Sequence, residues 1–149
     1  MSTAANRDDD PLAAWESLLQ AHARVSDELA RELKNERDLE LSWYEVLLHL
    51  STAPGRRLRL QDLATKVLYS RSGLTRLVDR LATAGLVTRE PCEEDRRGTW
   101  AVLTPEGLRT FRRAAPTHLR GIETHFISKL SAHEIAVIRS AMRRIAHRA

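Results

Sequence analysis

Residues 61–103, QDLATKVLYSRSGLTRLVDRLATAGLVTREPCEEDRRGTWAVL, constrain the fold more than any other stretch of the chain. Leu63, Ala64 and Val67 recur at helical spacing, which predicts a short helix over 61–67. Ser70 is suited to cap a second helix, in which Leu74, Leu77, Val78 and Leu81 form one apolar stripe. Ala84–Gly85 should end it, because glycine takes the left-handed conformation that follows a helix. Leu86 to Glu90 and Thr99 to Leu103 read as two strands around the charged loop PCEEDRRG. Helix, turn, helix and a hairpin with a basic tip, in that order, describe a winged helix-turn-helix.

The flanking segments add long helices. Asp10 and Pro11 supply a cap acceptor and a residue with preset φ. From there Leu12, Trp15, Leu18, Leu19, His22, Val25, Leu29 and Leu33 recur every three or four residues, to about Asn35. ERDLELS reads as a polar linker, and Ser42 as the cap of a second helix that stops at Ala53–Pro54–Gly55. The alternation in RRLRL, 56–60, suits a short strand. Thr104–Pro105 starts another helix, expected to reach about residue 129 with a kink at Pro116. Ser131 and Glu134 form a capping box before a last helix with Ile135, Ile138, Met142 and Ile145 on its apolar face. Residues 1–9 lack apolar periodicity and are expected to form a disordered tail. The predicted order is α-α-β-α-α-β-β-α-α, mostly helical with a small β-hairpin wing, in one domain.

The formal charge of +4 is unevenly spread. Residues 1–52 hold five Lys/Arg against eleven Asp/Glu, whereas residues 53–113 hold thirteen against seven. A basic middle on a helix-turn-helix pattern suggests a surface for a polyanion. The second helix of that pattern offers Arg71, Ser72, Thr75, Arg76 and Arg80 opposite its apolar stripe, with Ser70 at its start. Arginine can pair with guanine edges, and Ser and Thr reach bases or phosphates. Arg96 and Arg97 sit at the hairpin tip, where a wing would meet a minor groove, and Asp95 is placed to hold one of them. The plainer alternative is a solvated arginine face, with Asp79 pairing with Arg76 or Arg80 and Asp95 a loop acid of little energetic weight.

Asp95-Arg96-Arg97 followed by Leu103-Thr104-Pro105-Glu106-Gly107 matches a wing signature, D-x-R, five residues, L-T-x-x-G. By these residues and by SRSGLTRLVDRLATAGLV at 70–87, the chain resembles the MarR (multiple antibiotic resistance regulator) family of transcription factors over about residues 12–147. The resemblance implies that Arg97 enters the minor groove with Asp95 as its structural partner. It makes Ser70, Arg71, Ser72, Thr75 and Arg76 the major-groove readers. It also implies a homodimer on a pseudo-palindromic duplex, with residues 10–40 and 105–148 as dimerisation helices around a lobe at 42–104. A monomeric core is the alternative use of those helices.

Family resemblance further implies a repressor released by a small aromatic or anionic ligand. Trp15, His22, Trp43 and Tyr44 are the candidate ligand contacts; for Trp15 and His22, core or interface packing is the preferred reading. Cys92, the single cysteine, excludes an internal disulfide and fits a reducing cytoplasm. Neighbouring Glu90, Glu93 and Glu94 argue against a reactive thiolate there. The polar, acidic start points to neither a secretory signal nor a transit peptide, and no apolar run suits a bilayer. His22, His49, His118, His125, His133 and His147 form no tight ligand pair, so no metal or cofactor is expected. Phosphate loops and catalytic motifs are lacking, which argues against an enzyme. A winged-helix protein-interaction module without specific DNA binding is the alternative from another functional class.

Overall fold

A computed structural model describes residues 9–67, 71–94 and 97–147 of the chain. The elements are α1 (Pro11–Arg37), α2 (Leu41–Thr52), β1 (Arg57–Arg59), α3 (Leu60–Val67), α4 (Arg71–Thr83), β2 (Val87–Pro91), β3 (Thr99–Leu103), α5 (Pro105–His125) and α6 (Ala132–Ala146). Their order is the expected one, with 3-10 turns at Pro54–Arg56 and Ile127–Lys129. Residues 1–8 of the expected tail at 1–9 and the Ser70 cap lie outside the described residues.

Local chemistry accounts for most boundaries. The Asp10 carboxylate accepts from the Leu12 amide at 3.0 Å and starts α1. Gly85, at φ 77°, supplies the left-handed residue after α4. The Ser131 hydroxyl accepts from the Glu134 amide at 3.1 Å, and the Glu134 carboxylate accepts from the Ser131 amide at 2.8 Å, completing the capping box.

Two boundaries differ from expectation. Helix α2 begins at Leu41 with Glu40 as its cap residue, so Ser42 lies inside the first turn and ERDLELS shrinks to a short turn. Lys34 secures that turn by ion pairs to Asp38 at 3.0 Å and Glu40 at 3.2 Å. Helix α5 passes through Pro116 but ends at His125, because Phe126 leaves helical geometry at φ −127°, ψ −65°. Apolar spacing continues across the 3-10 turn, which hides the break from the sequence.

The described chain divides into two compact units, and the division falls inside α1 and α5. Leu33–His118 forms one of them. Its antiparallel sheet has the order β1-β3-β2, with Leu58 opposite Ala101 and Val87 opposite Leu103. These four residues face inward, joining Leu47 and Leu50 of α2, Leu63 of α3, and Leu74, Leu77 and Leu81 of α4 in one core. Each leucine there contributes about 1.5–3 kcal/mol of burial free energy. The other unit takes the described residues up to Glu32 and from Leu119 onward. Among the described residues, Leu29 is the one buried apolar side chain in it, while Leu12, Trp15, Leu119, Val137 and Ile145 stand more than half exposed.

Candidate nucleic-acid interface

Winding at 3.6 residues per turn gives α4 two chemically distinct faces. Leu74, Leu77, Val78 and Leu81 are buried, whereas Ser72, Arg76 and Arg80 are exposed and Thr75 is half-buried. Arg71 is the first residue of the helix. Asp79 pairs with Arg89 of β2, where the sequence pointed to Arg76 or Arg80. That pair ties the helix to the hairpin. It also places the one acid of α4 against a strand arginine.

Hydrogen bonds tie the hairpin at both ends of its strands. The Cys92 amide donates to the Gly98 carbonyl at 3.0 Å, and the Cys92 side chain is buried, which leaves a weak setting for redox chemistry. At the other end, the Thr104 hydroxyl donates to the Gly85 carbonyl at 2.8 Å and accepts from the Gly107 amide at 2.9 Å. One hydroxyl therefore caps α5 and fastens it to the turn after α4. Gly107 is required by packing: a Cβ there would lie 2.1 Å from the Leu86 carbonyl oxygen. These are the Thr and last Gly of the signature, and both serve the hairpin's base.

Asp95 and Arg96 lie outside the described residues, but Arg97 is exposed on the hairpin. It borders a cleft of about 170 Å³ together with Arg59, Gln61, Thr75, Gly98 and Thr99. Thr75 of α4 and Arg97 of the wing, both chosen from sequence, thus meet in one place. Arg59 of β1 joins them. Its guanidinium lies 3.7 Å from the Glu94 carboxylate and 5.4 Å from the Trp100 ring centroid. Arg57 lies over the same ring at 4.3 Å.

Arg57, Arg59 and Trp100 were not among the sequence candidates. The alternation in RRLRL does place both arginines on one strand face. What the sequence lacks is the register, which sets Arg59 opposite Trp100 on β3. The result is a strip of two guanidinium groups held against an indole beside the Arg97 cleft. A cleft with two arginines, two threonine hydroxyls and a glutamine can accept phosphate oxygens.

The candidate ligand contacts fall in separate settings. Tyr44 is buried, with its ring 5.4 Å from Phe111 and 4.4 Å from His118, and Trp43 packs half-buried beside it. Burial raises the Tyr44 phenol and lowers the His118 imidazole from their ordinary values. Among the described residues, His118 Nδ1 has no hydrogen-bond partner, although it is buried. In the other unit Trp15 is 59% exposed. His22 borders an apolar cavity of about 370 Å³ shared with Leu18, Val25, Leu29, Phe126 and Met142. Among the described residues, no helix is long and apolar enough to cross a membrane.

Comparison with known proteins agrees with this geometry. The MarR family model matches residues 37–98. The crystal structure of AbsC, a MarR family transcriptional regulator from Streptomyces coelicolor, is 35% identical and covers 97% of this chain and 96% of its own, with a TM-score of 0.86. Sco3205, a MarR family transcriptional regulator from the same organism solved in complex with DNA, is 31% identical over 97% of this chain and 90% of its own, also at 0.86. The PcaV transcriptional regulator of Streptomyces coelicolor, solved in complex with its natural ligand, is 28% identical over 97% of each chain, with a TM-score of 0.72.

Proposed function

The chain belongs to the MarR family of transcriptional regulators, and from that premise we propose that it is a homodimeric repressor that binds a pseudo-palindromic operator and is released by a small aromatic or anionic ligand. In this reading α4 reads the major groove through Arg71, Ser72, Thr75, Arg76 and Arg80, together with Ser70, which precedes the helix in sequence. Arg97 enters the adjacent minor groove, with Asp95 and Arg96 beside it at the wing tip. Arg57 and Arg59 add phosphate contacts along the sheet.

The observation that carries the reading is the convergence of Arg97, Thr75 and Arg59 on one cleft. A base-reading helix and a backbone-gripping wing must act on the same duplex segment, and a shared cleft meets that requirement. The Sco3205 complex with DNA supports the partner class. PcaV, bound to its natural ligand, supports small-molecule control. The exposed apolar side chains of the unit containing Trp15, Leu119 and Ile145 support pairing of two copies. Residues 42–104 would then act as the DNA lobe and 10–40 with 105–148 as the dimerisation helices, in a cytoplasmic regulator.

Selection of genomic DNA fragments by the full-length protein tests the proposal. It should yield a two-fold-related motif, with affinity falling steeply as salt rises. Retention of fragments without a shared motif would overturn sequence-specific binding. Phenolic and carboxylate compounds added to the complex should lower operator affinity; unchanged affinity across such a panel removes the ligand-release part.

A further inference from the structure

Distant parts of the sequence bring three metal-ligating side chains together in the unit formed by residues up to Glu32 and from Leu119 onward. Glu28 and Glu32 stand one helical turn apart on α1, so their carboxylates share a face. His125 closes α5 and meets them there. One ligand atom from each of the three residues lies within 4.8 Å of the others, and all three residues are half-buried. His125 Nε2 is 2.6 Å from a Glu32 carboxylate oxygen. Gly121, one turn before His125, leaves the room: a Cβ there would come within 2.8 Å of the other Glu32 oxygen.

We propose that Glu28, Glu32 and His125 form a binding site for a first-row divalent cation, with zinc as the favoured ion. Two carboxylates supply the negative charge that a dication requires, and the imidazole is what separates this group from a patch of surface acids. Imidazole ligation suits zinc and its transition-metal neighbours, whereas magnesium and calcium prefer all-oxygen shells. Three protein ligands leave a coordination position for water or a further group. Glu28 also pairs with Arg31 through one carboxylate oxygen, and a carboxylate has a second oxygen to offer an ion. Binding would exchange the Glu32–His125 hydrogen bond for two metal bonds, with Nε2 bare toward the ion and the imidazole proton carried on Nδ1. The ion would cross-link α1 to α5, and so resist their separation.

Calorimetric titration of the full chain with zinc chloride, after chelator treatment, tests the site. One zinc per chain is expected, with magnesium and calcium chlorides giving no comparable heat. Glu32→Gln and His125→Gln should each weaken zinc binding by at least about tenfold, as loss of a direct ligand requires more than the outer-shell effect. Zinc held instead by the exposed His22, His133 or His147 would survive the double variant, and that result overturns the proposal. Circular dichroism monitors folding of the variants. Should they unfold, the unmodified chain decides by NMR. The His125 ring signals must shift with the first equivalent of zinc, and a shift confined to other histidines rejects the site.

Discussion

The Arg57 guanidinium lies over the Trp100 indole, 4.3 Å from the ring centroid, and Arg59 approaches the same ring at 5.4 Å. A free arginine side chain loses about 2 kcal/mol of rotamer entropy when it is fixed. A cation–π contact at an exposed site returns about 0.5–1 kcal/mol and orders the group before DNA arrives. Trp100→Ala should therefore weaken operator binding severalfold while leaving base preference intact. Arg59→Ala should reduce the slope of log affinity against log salt by about one. Fluorescence anisotropy over a salt series measures both; an unchanged slope for Arg59→Ala places that arginine away from phosphate.

Arg97 and Arg76 should fail differently. Minor-groove and phosphate contacts carry little base information, so Arg97→Ala is expected to weaken cognate and random duplexes alike. Arg76→Ala should cost about 1–3 kcal/mol on the cognate site and relax discrimination. Competition binding with single-base operator variants separates the two patterns. Equal losses on cognate and random DNA for Arg76→Ala would remove its base-reading role.

Thr104 and Gly107 should govern stability more than DNA contact. Thr104→Ala removes the α5 cap and the bond to Gly85, a loss of about 1–2 kcal/mol, and Thr104→Ser should restore most of it. Gly107→Ala drives a methyl into the Leu86 carbonyl and should cost about 1–3 kcal/mol or more. Urea unfolding monitored by circular dichroism reads both changes.

His118 gives the fold an acid-side weakness. Burial lowers its folded-state pKa, so below about pH 6.5 the unfolded chain takes up a proton that the folded chain resists. Stability should be fully present above that pH and decline as pH falls toward the folded value. His49, lowered by burial and by Lys66, acts in the same direction. His118→Leu should therefore flatten the decline in part, seen as a smaller drop in Tm between pH 7.5 and pH 5. A drop equal to that of the unmodified protein would assign the decline to other groups.

The exposed apolar side chains of the terminal unit should matter only between copies. Leu119 is 62% exposed and Ile145 75%. Leu119→Asp with Ile145→Asp should halve the mass measured by light scattering and weaken binding to the full operator. A parent protein that is already monomeric would refute the pairing.

Most of the chain's local architecture was legible in advance because it depends on neighbours within one helical turn. The Asp10 cap, Gly85 after α4, the Ser131–Glu134 box and the buried stripe of α4 each follow from a few adjacent residues. Thr75 and Arg97 could be chosen because a face and a loop tip are local properties. The misplaced cap at Ser42 and the overlong α5 show where that logic stops: Lys34 ion pairs and a non-helical Phe126 altered boundaries that the apolar spacing allowed.

Nothing local could reveal which residues meet across the fold. Arg59 faces Trp100 through strand register, and Asp79 reaches Arg89 instead of a helix neighbour. Tyr44 is a core residue stacked on His118, although its aromatic ring made it a candidate ligand contact. Glu32 and His125 stand 93 positions apart, so histidine spacing carried no sign of their cluster. Periodicity and capping are written in short-range hydrogen bonding and in the pitch of one helix. Register, burial and ligand clusters arise when separate elements pack, and packing depends on the whole chain at once.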